Sequence, residues 1–278
     1  MTSATQNPLL KQMAALRRKP NLTRKEFFDY HFQVHGSISD VPQNEDEKPH
    51  KYIQTHFFDA AFGAREDGIA GTGNHSWVGR DDMTELYFRD WDHLKACFSS
   101  KYVRETIGPD GVNFGDLETS IPLFVTERVL ELSHTTSLAP VKEGERTVAV
   151  LFVATTSQES EEQVEQRFSP LLIKALADHA TDDAWGLQAN VSVPSEQFDV
   201  RAYFGGKNMP EYPVSYKIFL KDHQSVKAIR KAQKAFMAET GDVVDASKTF
   251  IVFGKEGMVL DVGNGVKFES HRQPVLPY

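Results

Sequence analysis

The chain has 278 residues, 40% hydrophobic and 25% charged, with a net charge of −8 and a single cysteine, Cys97. That length suits two domains of about 130–140 residues each, with enough apolar material for a real core. The composition argues against a nucleic-acid binder, because the densest basic stretch, Arg17-Arg18-Lys19 followed by Arg24-Lys25, is too short for a basic stripe, and a lone cysteine allows no intramolecular disulfide.

In chain order, "MTSATQNPLL" lacks the apolar run of a signal peptide, and nothing in the chain approaches about 18 consecutive apolar residues. A soluble, cytoplasmic protein is expected. "LLKQMAALRR" predicts a strand and "KPNLT" a turn. Thr23 with Glu26 three residues on has capping-box spacing, so a helix runs from there to His35 and stops at Gly36. "KYIQTHFFD" alternates as a strand, with Tyr52, Gln54, His56 and Phe58 on one face. A Gly-rich charged loop covers 63–82, and "MTELYF" is a strand. "DWDHLKACFSS", capped by Asp90, and "KYVRETIG" are helical, and "IPLFVTERVLEL" is a strand. The order is that of a split βαβ, ferredoxin-like unit. Polar residues 133–146 read as a linker. The same order then returns through "TVAVLFVA", a helix over 157–180, "AWGLQANVSV", "VSYKIFL", a helix stopped by Gly241, and "KTFIVFGKEGMVLDV". The expectation is an α+β chain of two tandem ferredoxin-like units, 1–132 and a divergent 147–278 with a C-terminal tail.

The first unit resembles the EthD family of the dimeric α/β-barrel superfamily. The resemblance rests on "RRKP", "LTRKEFFDYHFQVHG", "KYIQTHF", "MTELYF" and "GPDGVNFGD", the last holding Pro109, Asp110, Phe114 and Asp116. It covers about residues 9–131, and the helix ending in Val-His-Gly is its most specific part. It implies that antiparallel sheets of the two units pack into a barrel, one unit keeping the reactive residues. It also implies small aromatic or polyketide-like substrates, and lyase-type chemistry without a cofactor: decarboxylation, dehydration or cyclisation. Pairing into a homodimer stays open.

His31 and His35 lie four apart on one helix, but no glutamate lies between them as in HExxH, so no metal is expected. His35 sits where the helix dipole favours an imidazolium; it either caps the helix or acts, and the resemblance, placing it at the barrel mouth, raises the second reading. His31 reads as incidental, and Tyr30 as core or substrate contact. The polar-aromatic face of His56 suggests a cavity, so His56 is expected to point into the barrel as acid or base, beside Tyr52 and Gln54. His75 and Trp77 lie on the 63–82 loop, which reads as a lid or as plain surface. Met83, Glu85 and Tyr87 share one face of their strand, and the cavity-lining face is left open; facing inward, Glu85 would have a raised pKa. There is no G-x-S-x-G or G-x-G-x-x-G site. The expected catalytic residues are His56, His35 and His75, with Tyr30, Tyr52, Gln54, Trp77, Glu85 and Tyr87 contacting substrate. Two alternatives stand beside this enzyme: a carrier for a hydrophobic small molecule, and a haem protein using His179 or His223 as axial ligand.

Overall fold

The computed structural model describes residues 9–63, 77–133, 144–206 and 208–277. The first half runs β1 (Leu10–Leu16), α1 (Arg24–Asp29), β2 (Lys51–Phe62), β3 (Asp82–Phe88), α2 (Trp91–Ser99) and β4 (Ile121–Leu130). The second runs β5 (Thr147–Val153), α3 (Glu161–His179), β6 (Ala184–Ser192), α4 (Val200–Phe204), β7 (Val214–Leu220), α5 (Val226–Thr240) and β8 (Phe250–Asp261). Both halves have the predicted ferredoxin-like element order. The helix starts follow their sequence signals: Thr23 and Glu26 form the capping box of α1, and Asp90 caps α2. The element α4 falls in the Pro- and Ser-containing stretch before β7, where the pattern predicts none.

Two four-stranded antiparallel sheets, β4-β1-β3-β2 and β8-β5-β7-β6, join edge to edge into a closed eight-stranded barrel. The seams are β2 with β8, from Lys51↔Asp261 to Phe62↔Phe250, and β4 with β6, from Val125↔Ser192 to Leu130↔Leu187. Closure inside one chain removes the open sheet edges that would otherwise need covering. The expected linker lies largely on residues outside those described.

The barrel is packed solid. Met13, Met83, Leu123, Val150, Phe152 and Val252 form one buried layer inside it. Above them lies a buried charge network. Lys11 Nζ lies 2.5 Å from Glu85 and 2.9 Å from Glu127, Lys217 Nζ lies 2.5 Å from Glu85, and Lys217 also meets Glu256. Helices cover the outer face of each sheet, and a cavity lies on that side of the first half. No helix among the described residues is long and apolar enough to cross a membrane.

Candidate active site

The helix that follows Thr23 is not a uniform α-helix. After α1 it widens into a π-helical stretch, Tyr30–Gly36, and closes with one α-turn, Ser37–Ser39. Such widened turns concentrate at functional sites because they re-aim side chains. Here the stretch carries both His31 and His35, whose rings lie 5.5 Å apart, and each packs on Phe114.

The two rings line a cavity of about 120 Å³ between the first sheet and its helices. Tyr52 of β2, Thr84 of β3 and a largely apolar wall complete it. A cavity of about 150 Å³ holds a benzene ring, so this one is the size of a single small ring.

His31 is 1% exposed. Its Nδ1 meets Asp82 Oδ2, and its Nε2 lies 3.1 Å from Tyr52 Oη. Burial pulls the imidazole down to about 3, and burial with the nearby Asp81 charge pushes the Asp82 carboxyl well up. Burial thus disfavours the charged form of both groups. Asp82 O–H therefore donates to Nδ1, and Nε2–H donates to Tyr52. Gln54 Nε2 donates to the same phenol oxygen at 2.7 Å and to the His31 carbonyl at 2.9 Å. The Tyr52 phenol thus meets two nitrogen donors and also hydrogen-bonds with the Thr84 side chain on the cavity wall.

His35 is built differently. Its Nδ1 lies 2.8 Å from Asp110 Oδ2, and Tyr30 Oη and Asn113 Nδ2 donate to Asp110 Oδ1 at 2.7 and 2.9 Å. Burial pushes the Asp110 carboxyl upward, but these three donors outweigh it and hold it at about 2. Asp110 is thus an acceptor only. It fixes the His35 tautomer as Nδ1–H and leaves Nε2 as the ring's basic nitrogen. Burial lowers the His35 pKa as well, so the base is free of its proton at neutral pH. One cavity therefore holds a proton donor backed by a relay and a proton acceptor oriented by a carboxylate.

The sequence expectations are corrected at several residues. His56 does not point into the barrel. It lies on the helix side of β2, stacked on Phe28 at 4.3 Å, and donates from Nε2 to Gln54 Oε1 at 3.2 Å. It sits behind Gln54 and away from the cavity lining. Burial holds its pKa well below the ordinary value. His31, read as incidental, occupies the position expected for His56. Trp77 packs inside the barrel end against Phe62 and Phe250, and not over the cavity. Glu85 and Tyr87 face the barrel interior; burial pushes Glu85 upward, but Lys11 and Lys217 overcome it and hold it at about 2, the reverse of the raised value expected. Tyr87 donates to Glu127 at 3.0 Å. Tyr30 touches Asp110 and Gln54 touches Tyr52, both as supports. His75 lies outside the described residues. His179 and His223 are exposed and line no part of this cavity. Sequence reasoning missed His31, Asp82, Thr84 and the role of Asp110. The one signal available for His31 was its four-residue spacing from His35.

Residues 19–118 match the family model of the EthD domain. Over those residues the chain is similar to the EthD domain. None of the curated proteins compared matches the sequence significantly. Among solved structures, an anthrone oxidase-like protein aligns with a TM-score of 0.52 and 10% identity, over 92% of this chain and 96% of that one. A candidate monooxygenase from Lactobacillus acidophilus aligns at 0.43 and 9%, over 90% and 94%. A candidate chlorite dismutase aligns at 0.44 and 9%, over 93% and 97%. At such identity these likenesses speak to fold alone.

The first half and the second half can be compared position by position through strand register. Leu10 faces Phe88 as Thr147 faces Leu220, and Lys51 to His56 face Tyr87 to Asp82 much as Gly186 to Val191 face Phe219 to Val214. The site positions Tyr52, Gln54, His56, Asp82 and Thr84 thus correspond to Leu187, Ala189, Val191, Val214 and Tyr216. All five second-half residues are buried in one apolar cluster with Phe168 and Phe236. The equivalent space there is filled, and among the described residues the relay belongs to the first half alone.

Proposed function

We propose that this protein is a small-molecule enzyme that moves protons on a single-ring aromatic or enolisable carbonyl compound, without a cofactor. The observation that carries the reading is the pairing, in one largely apolar cavity, of a carboxylate-oriented histidine base and a tyrosine donor on a buried relay. In this scheme His35 Nε2 removes a proton from carbon beside a carbonyl, while Tyr52 O–H donates to the carbonyl oxygen as negative charge develops there. His31 then returns a proton from Nε2 to Tyr52, and Asp82 returns one to His31 Nδ1. The product is an enol, His35 is an imidazolium and Asp82 a carboxylate until solvent resets both. Decarboxylation, dehydration and cyclisation of an aromatic or polyketide-like compound all pass through such an enol or enolate, and the lyase-type chemistry belongs to that group. Positioned acid–base groups of this kind supply about 10²–10⁴-fold in rate.

The test is deuterium exchange at the carbon beside the carbonyl of acetophenone-type ketones in D₂O, followed by proton NMR. The expected result is exchange about a hundredfold above buffer, lost in His35→Gln and in Tyr52→Phe. Saturable binding of the ketone with exchange at the buffer rate would establish instead a carrier for hydrophobic small molecules.

A further inference from the structure

Part of the wall of this cavity does not come from the first half. Tyr203 and Phe204 line it, and both lie on α4, in the connection between β6 and β7 of the second half. The segment crosses from one half to the other and is pinned where it lands. Gly205 and Gly206 have φ of +84° and +82°, which favours glycine, and a Cβ on either would stand 1.9 Å from the carbonyl oxygen of Leu117 or Ser120. No other residue type lets the chain lie this close to the turn that precedes β4. The end of α4 is thereby fixed against the first half rather than resting on it.

The contact it makes is aromatic. Tyr203 and Phe204 stand 4.7 and 5.5 Å from the ring of Phe98, itself a cavity residue, and Phe198 adds a ring 5.2 Å from Phe98 and 5.5 Å from Tyr203. Tyr203 is 37% exposed while touching the cavity, and a Cβ on the exposed Gly108 would lie 3.3 Å from its hydroxyl. These two residues mark the mouth. Phe204, more covered, is the back of the wall.

We infer that α4 is the size filter of the site: Phe204 limits the occupant to one ring, and Tyr203 with Gly108 forms the entry. The inference rests on the reading of the cavity as an aromatic-compound site and adds its selectivity. The second half, which has lost the equivalent cavity of its own, contributes to the function through this wall.

The experiment is titration of the whole protein with phenol and 1-naphthol by ligand-observed NMR, in the wild type, Phe204→Ala and the milder Phe204→Leu, with thermal melts to establish that each variant is folded. The wild type is expected to prefer phenol by about tenfold or more, the scale on which an apolar pocket rejects excess bulk. Phe204→Ala should gain naphthol affinity by about tenfold and erase the preference, with Phe204→Leu between. Folded variants that bind phenol and keep the wild-type preference would overturn the size filter while leaving the site itself standing. Failure of the wild type to bind either probe would overturn the aromatic-site reading, and the filter with it, before any variant is compared.

Discussion

His56 touches no part of the cavity, yet the hydrogen bonds pass through it. Its Nε2–H holds the oxygen of the Gln54 amide, which turns the amide nitrogen toward Tyr52 and the His31 carbonyl. His56→Phe keeps the stacking on Phe28 and removes the donor. A buried acceptor left without its donor costs about 1–3 kcal/mol, so urea denaturation should show a loss of that order. The positioning role has a second readout. With the Gln54 amide free to turn, the ring nitrogen shifts of His31 should change in ¹⁵N NMR; a stability loss with unaltered His31 shifts would make His56 a packing residue only. At this scale the sequence was half legible. His35 stood out through its place at a helix end and the family pattern, and Asp110 lay in a quoted motif. The partnership of His31 with Asp82 was not legible, since 51 positions separate them. Nor was the direction of the β2 face: that strand is buried on both sides, so alternation identifies its two faces without saying which meets the helices.

At the scale of the element, the helix from Thr23 to Ser39 and the strand under it gather three histidines that burial keeps neutral, His31, His35 and His56. Their lowered folded-state pKa values set the sign of the pH dependence. Below about 6.5 the unfolded chain takes up protons at these sites more readily than the folded chain, so stability falls as pH falls. Asp82 acts oppositely, because its raised value means the folded state holds a proton that the unfolded state has released. The three histidines outnumber the one carboxyl, so the net effect is a loss of stability as pH falls. Urea midpoints measured between pH 6.5 and 4.5, above the range of the unfolded carboxylates, should drop steadily, and less steeply in His31→Gln. A flat profile would mean that these histidines are charged in the folded protein. The helix itself was visible in the sequence from its cap and its glycine. Its π-helical widening was not, because no residue pattern distinguishes a wide turn from an ordinary one. The element α4 was hidden for a different reason: it is a short helix held by contacts to the other half, with little periodicity of its own.

For the whole molecule the decisive feature is how the two halves choose each other. Register makes Glu85 and Lys217 equivalent positions, three residues before Phe88 and Leu220, and they meet inside the barrel at 2.5 Å. Two copies of the first half paired in the same way would bring Glu85 against Glu85. Glu against Lys instead favours closure of one half on the other, which is how this barrel forms within a single chain. The tandem order of elements was legible from the sequence, but this complementarity was not, since it depends on which strand faces turn inward. The network also gives a stability prediction. Lys217→Met keeps an apolar stem of similar length and leaves Glu85 and Glu256 without their shared cation. Removing one partner of a buried ion pair costs about 3–5 kcal/mol, and the remaining Lys11 contact to Glu85 limits the loss to the lower part of that range. Adding Glu256→Gln removes one of the stranded charges and should recover part of the loss. Denaturation of the two variants side by side measures this directly. If Lys217→Met is as stable as the wild type, the buried charges do not hold the halves together, and the apolar layer around Phe152 and Val252 closes the barrel by itself.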